Sequence, residues 1–417
     1  MRLRRLLLPL FVLALIAAAC GGGDDEPAAD TDTGEEAEAT TTTEATTTTT
    51  EAPEATTTTE ATTTTTTEAP LSEITPISDG PYPVGVQTIT VEADHREAPL
   101  TVEVWFPLDP TIEFDSEPYR YTFITGDYFE SPRAIAAGAS SAAPDGPFPL
   151  VVYSHGSGGT RFIHSDYTET LASHGYVVVA PDHAGNTAVE RVLGNADPGD
   201  LIAYNRPLDV IAVIDAVLAD ADLGPITDDD SIAVTGHSFG GFTTYAVASG
   251  TDNPNGVTPA DPRVDALIPL APAVGDGAEE ALLTAAELGT IEIPTLIIVG
   301  TDDKTTPVVP NVETAWNESS ASPHYRVELV AGEHQSFTDL CDYLEVVPDR
   351  EDANPLVVDV IVEMSVEGCS PDDMPIERVK ELTNTFAVTF LESVFRGGEM
   401  ITDETNVIPD DVIFDDK

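Results

Sequence analysis

The stretch SIAVTGHSFGG, residues 231–241, leaves the rest of the chain little freedom. Ile232, Ala233, Val234 and Thr235 make an apolar, β-branched run that reads as a buried strand, and Gly236-His237-Ser238-Phe239-Gly240 follows at once as G-x-S-x-G. That pattern predicts a strand turning sharply into a helix over Phe239 to about Ser249. The serine at the corner would be strained, with glycines where side chains would collide. Ser238 Oγ would then stand above the sheet, where the Phe239 amide and the positive end of the helix face a developing oxyanion. A glycine-rich turn can also merely join a strand to a helix, so context arbitrates: an acid and then a histidine must follow.

Both follow. Gly300-Thr301-Asp302-Asp303-Lys304-Thr305-Thr306-Pro307 closes the apolar run Thr295–Gly300, and its G-x-x-D-x-x-x-P spacing selects Asp303 over Asp302 as the carboxylate turned toward a histidine. Gly332-Glu333-His334-Gln335-Ser336-Phe337 comes just after the run Tyr325–Val330. Of the eight histidines, only His334 follows Asp303 at the end of a strand; His155 and His183 lie in loops before the serine, and His237 is expected to point away from the site. Ser154-His155-Gly156-Ser157-Gly158-Gly159, after the run Leu150–Tyr153, would supply a second oxyanion amide, that of Ser157 ahead of Gly156, with His155 bracing the loop.

Short apolar runs alternate with helical patterns from Leu150 onward. Phe162–His174, Pro207–Ala219 and Ile376–Arg396 read as helices, and Tyr176–Ala180 and Val264–Leu270 as further strands. Val86–Val91 and Leu100–Phe106 precede them as an antiparallel pair. Strands alternating with helices predict an α/β fold, a mainly parallel central sheet with helices on both faces. Ligands of such sheets bind beyond the carboxyl ends of the strands, where all three motifs fall. Residues 339–375 form an insertion after His334, with two readings open: a helix-bearing flap beside the site, or a peripheral excursion. The acidic tail after Thr402 is expected to fray.

GHSFGG, SHGSGG, GTDDKTTP and GEHQSF on this strand pattern resemble the α/β-hydrolase superfamily, and within it the dienelactone-hydrolase-like and platelet-activating-factor-acetylhydrolase-like branch, which includes cutinase-like enzymes. Tyr176-Val-Val-Val-Ala-Pro-Asp-His183 and Arg206-Pro-Leu-Asp209 are similar to that branch as well. The resemblance spans about residues 82–340 and the C-terminal helix. It implies an esterase with Ser238, Asp303 and His334 as catalytic triad, the Phe239 and Ser157 amides as oxyanion hole, no cofactor and no metal. The dienelactone hydrolases proper use a cysteine where Ser238 stands, so lactone specificity is not implied. An acyltransferase of the same fold, or a non-catalytic surface-binding lipoprotein, are the alternatives.

Residues 1–20 lie outside that fold. Arg2, Arg4 and Arg5 precede the apolar run Leu6–Ile16 and then Ala17-Ala18-Ala19-Cys20, a pattern that resembles a bacterial lipoprotein signal with Cys20 as the lipidated N-terminus. Residues 21–70 are built of Thr, Glu, Ala and Pro with almost nothing to bury, so they are expected to be a disordered tether. The remaining 71–417 would form one exported domain held to the outer face of the membrane by its lipid alone. Cys341 and Cys369, the other two cysteines, are then most simply a disulfide. With 74 acidic against 17 basic residues, nucleic acid is excluded as a partner; a small or lipid-like ester is the expected one.

Overall fold

The computed structural model describes residues 71–123, 126–277 and 281–417; the expected signal, Cys20 and the tether lie outside the described residues. The strands are Val84–Val91 (β1), Leu100–Pro107 (β2), Pro118–Thr122 (β3), Tyr128–Ala136 (β4), Phe148–Ser154 (β5), Val177–Pro181 (β6), Thr227–His237 (β7), Ala266–Leu270 (β8), Thr295–Gly300 (β9), His324–Leu329 (β10) and Val412–Asp416 (β11). They join one sheet in the order β11-β10-β9-β8-β7-β5-β6-β2-β1-β4-β3. Its centre, from β6 to β10, is parallel throughout. Leu150–Tyr153 and Val177–Ala180 are wholly buried. Parallel strands covered on both faces are apolar runs rather than alternations, as these sequences are.

The helices that position the site are Ser165–Ser173 (α1), Ala188–Leu193 (α2), Gly199–Ala219 (α3), Phe239–Ser249 (α4), Leu340–Val346 (α5), Pro355–Met364 (α6) and Ile376–Phe395 (α7). α1 packs on α7 and α3 on α4, and all four helices pack against the sheet. This is the expected α/β architecture. Among the described residues no helix is long and apolar enough to cross a membrane.

Three elements depart from expectation. α3 starts at Gly199 and carries Pro207 inside it, because the buried face of Ile202, Ala203, Val210, Ile214 and Val217 outweighs one missing backbone hydrogen bond. The tail after Thr402 is ordered: Asn406–Val407 pairs with Ser72–Glu73, and β11 pairs residue for residue with β10, covering an otherwise open edge. β3 and β4 are recruited by a buried carboxyl. Glu169 Oε1 accepts from Tyr121 Oη and Ser131 Oγ, both at 2.6 Å, while Trp105 Nε1 donates to Tyr121 Oη at 2.7 Å. Burial pushes the Glu169 carboxyl up to about 7, although both donors favour its charged form.

Candidate active site

β7 ends at His237, and Ser238 takes φ 58° and ψ −118° before α4 begins at Phe239. A left-handed φ on a serine is strained and needs support from its surroundings. Ser238 N–H donates to Leu270 O at 2.9 Å, and Ser238 O accepts from Ala273 N–H at 3.0 Å. The flanking glycines are obligatory: a Cβ on Gly240 would lie 1.8 Å from Ser154 O, and one on Gly236 2.5 Å from the same atom.

The expected acid and histidine meet this serine. His334 Nε2 lies 2.8 Å from Ser238 Oγ, and His334 Nδ1 lies 2.8 Å from Asp303 Oδ2. These partners put the imidazole proton on Nδ1, leaving Nε2 to accept from the hydroxyl. Asp303 and His334 are buried, whereas Ser238 is partly exposed. Asp302 is exposed and hydrogen-bonds to the Gly332 carbonyl through its amide, away from the histidine.

Thr306 completes the site and was not singled out in the sequence. Its amide donates to Asp303 Oδ1 at 2.7 Å, and its Oγ1 lies 2.9 Å from Asp303 Oδ2 and 3.1 Å from His334 Nδ1. The signal was present in the loop motif, where Thr306 sits three residues after the acid. His237 contradicts expectation. It does not point away; its Nε2 lies 2.9 Å from the His334 carbonyl oxygen and its ring is 4.6 Å from that of His334. The site loops close over β7 from both sides, so this side chain is enclosed, and burial keeps it neutral.

The loop 154–159 lies over the serine. A Cβ on Gly156 would sit 3.3 Å from Ser238 Cβ and 3.2 Å from His237 Nδ1, a tight contact that glycine avoids. Among the described residues the amides of Gly156, Ser157 and Phe239 have no hydrogen-bond partner. Ser157 is exposed, and its Oγ accepts from Asn186 Nδ2 at 3.1 Å. His155 does brace this loop: His183 N–H donates to its Nε2 at 3.1 Å, so its Nδ1–H donates to Gly156 O at 2.7 Å.

The insertion packs onto the site. Cys341 and Cys369 are joined by a disulfide. Glu367, two residues before Cys369, accepts from Lys304 N–H at 2.6 Å and from Thr305 Oγ1 at 2.7 Å, while its own carbonyl accepts from Gln335 N–H at 3.0 Å. α6 lines a cavity of about 480 Å³ with Leu356, Val360, Ile361 and Met364, together with Val189, Val192 and Leu193 of α2 and with Gly158–Gly159. Arg161, at its margin, is paired with Glu103 and Asp182, both at 2.7 Å.

Part of the chain matches known families. A model of platelet-activating factor acetylhydrolase, isoform II, matches residues 122–198, and one of the prolyl oligopeptidase family matches residues 164–267. A dipeptidyl aminopeptidase BIII of Pseudoxanthomonas mexicana is 31% identical over 119 residues, 28% of this chain and 16% of that protein. A platelet-activating factor acetylhydrolase of Canis lupus familiaris is 30% identical, covering 24% of this chain and 32% of that protein. The chain spans 40% or less of the length of the curated relatives it matches. Among solved structures, a ferulic acid esterase from Streptomyces cinnamoneus superposes with a TM-score of 0.60 at 22% identity, covering 82% of this chain and 99% of that one. With its parallel sheet, its elbow after β7 and its acid and histidine after β9 and β10, the chain is an α/β-hydrolase by fold.

Proposed function

We propose that the chain is a serine hydrolase of carboxylic esters that works through an acyl-enzyme on Ser238. The observation that carries this reading is the unbroken line from Asp303 Oδ2 through both nitrogens of His334 to Ser238 Oγ, with each gap at 2.8 Å. His334 Nε2 takes the hydroxyl proton as Oγ attacks the ester carbonyl carbon, and the Asp303 carboxylate stabilises the imidazolium that results. The Phe239 and Ser157 amides receive the tetrahedral oxyanion. Its collapse expels the alcohol, which takes its proton from His334. A water deprotonated by His334 then attacks the acyl carbon and releases the acid, restoring Ser238.

The substrate is a small or lipid-like ester whose apolar part enters the cavity between α2 and α6. That cavity offers few free polar groups to a peptide backbone, because the charge of Arg161 is already paired. The matches to acetylhydrolases and to a ferulic acid esterase support an ester in the same direction. We read residues 1–20 as an export signal with lipidated Cys20 and residues 21–70 as a spacer, which holds the enzyme at the outer face of a bacterial membrane. The Cys341–Cys369 disulfide fits an oxidising compartment. Mass spectrometry of the mature N-terminus tests the anchor: a diacylglyceryl group on Cys20 is expected, and an unmodified Cys20 or a cut elsewhere would remove it.

Hydrolysis of a p-nitrophenyl ester series from acetate to palmitate, with Ser238→Ala alongside, tests the reaction. Activity lost in the variant, with fluorophosphonate labelling confined to Ser238 in the parent chain, is the expected result. Equal activity in both would overturn the triad. Acyl transfer to an added alcohol in preference to water would move the reading to an acyltransferase.

A further inference from the structure

Behind the oxyanion loop lies a second line of acid, imidazole and hydroxyl that the reaction does not use. Asp209 Oδ2 lies 2.8 Å from His183 Nδ1, and His183 Nε2 lies 2.9 Å from Ser154 Oγ; all three residues are wholly buried. His95 Nε2 and Arg96 Nε each reach Asp209 Oδ1 at 2.7 Å, and Arg96 Nη2 reaches Oδ2 at 2.5 Å. One proton assignment satisfies this set. His183 donates from Nδ1 to the carboxylate and accepts the Ser154 hydroxyl at Nε2. Ser154 Oγ in turn accepts from Arg206 Nη2 at 3.1 Å. Burial holds His183 neutral, and against its own burial Asp209 is kept charged by its three partners, His183, His95 and Arg96.

The line ends on Arg206, the one wholly buried arginine among the described residues. Its Nη1 donates to Asn186 Oδ1 at 2.8 Å, and its Nη2 also donates to the carbonyl oxygen of His155. That carbonyl shares a peptide unit with the Gly156 amide, which has no partner among the described residues and belongs to the loop that packs on Ser238. The next peptide is treated the same way, since His155 Nδ1–H donates to Gly156 O and the amide of that unit belongs to Ser157. A donor on a peptide carbonyl draws electron density through the amide and makes its N–H a stronger donor. The guanidinium carbon also lies 5.3 Å from the ring centre of Phe239, whose amide is the third candidate donor.

We infer that Arg206 is a positioning residue for the oxyanion hole: held by Ser154, His183 and Asp209, it fixes the loop 154–157 and polarises its amides toward the charge that develops on the substrate. This rests on the esterase reading above. A buried cation placed there acts most on the tetrahedral state, where the carbonyl oxygen is anionic, and little on the neutral ester. Its loss should therefore lower kcat and leave KM in place.

The test uses the full chain, with Arg206→Met, Arg206→Lys and Ser154→Ala. For each, kcat and KM are measured together with the inhibition constant of a trifluoromethyl ketone, which forms a tetrahedral adduct on the serine. Arg206→Met is expected to lose roughly tenfold to a hundredfold in kcat, with the ketone weakened by the same factor and KM within about twofold. Arg206→Lys should recover part of both, and Ser154→Ala should show a smaller, parallel loss. Where Arg206→Met fails to fold, the other two variants decide. A folded variant with unchanged kcat, or a kcat loss without a matching loss in ketone affinity, overturns the inference while leaving the esterase intact. Absence of ester hydrolysis and of fluorophosphonate labelling in the unmodified chain overturns the esterase reading and this role together.

Discussion

Glu367 Oε1 accepts the backbone N–H of Lys304 at 2.6 Å across 63 residues of sequence, tying the insertion to the loop that carries Asp303. The same residue holds Thr305 with its other oxygen and Gln335 with its carbonyl, so one short segment touches both the acid and the histidine loops. Glu367→Ala should lower kcat roughly tenfold through a looser triad while reducing stability by about 1–2 kcal/mol. Steady-state rates and thermal melting of the variant check both. Opening the disulfide behind it should cost about 3–4 kcal/mol in the chain-entropy description, and Cys369→Ser melts compared with the parent chain measure it.

The two adjacent carboxylates should separate cleanly. Asp303→Asn is expected to lose roughly 10⁴-fold in kcat, because the amide no longer holds the imidazole proton on Nδ1. Asp302→Asn, exposed and turned away, should stay within about twofold. Parallel kcat measurements on one ester decide it; equal losses would reassign the acid.

Glu169 makes stability depend on pH. Its native carboxyl is raised to about 7 from the ordinary 4.5 by burial, with Asp166 adding to the raise and Ser131, Tyr121 and Arg133 opposing it. The native state therefore binds the proton more tightly, and its stabilising share is full below about pH 4.5 and lost as pH rises through 7. Glu169→Gln should match the parent chain at pH 4 and exceed it at pH 8 by on the order of 3 kcal/mol. Denaturant titrations at the two pH values measure the difference.

Chain length should report on the cavity between α2 and α6. Each methylene buried there should raise kcat/KM about fourfold until the space is full. Val360→Trp, which fills the cavity from α6, should abolish that slope and leave acetate turnover near its original rate. An unchanged slope would place the apolar chain elsewhere.

The elbow was legible because it is local: strand, serine and helix are contiguous, and glycine is required within the same eleven residues. Asp303 and His334 were legible for a related reason, since each follows its own strand and parallel strands deliver their ends to one edge. His237 was misjudged, because its direction depends on how loops 60 to 100 residues away close over it. The pairing of Pro118–Thr122 with Tyr128–Ala136 was missed because it depends on a buried Glu169, and Pro118, Gly126 and Pro132 obscure any alternation. The tail was misread for a similar reason: Val412–Asp416 looks acidic and free until the open edge of His324–Leu329 is placed beside it.

By itself the sequence determined the α/β class, the order of the three motifs and the serine that stands at the elbow, because each depends on residues near one another in the chain and on the periodicity of a single element. Only the tertiary structure decided which donors stand behind the oxyanion loop, which face the insertion covers and where the apolar cavity lies. Those depend on contacts such as His95 with Asp209 or Glu367 with Lys304, where the energy of burying and pairing a charge is set by distant segments that local propensity does not register.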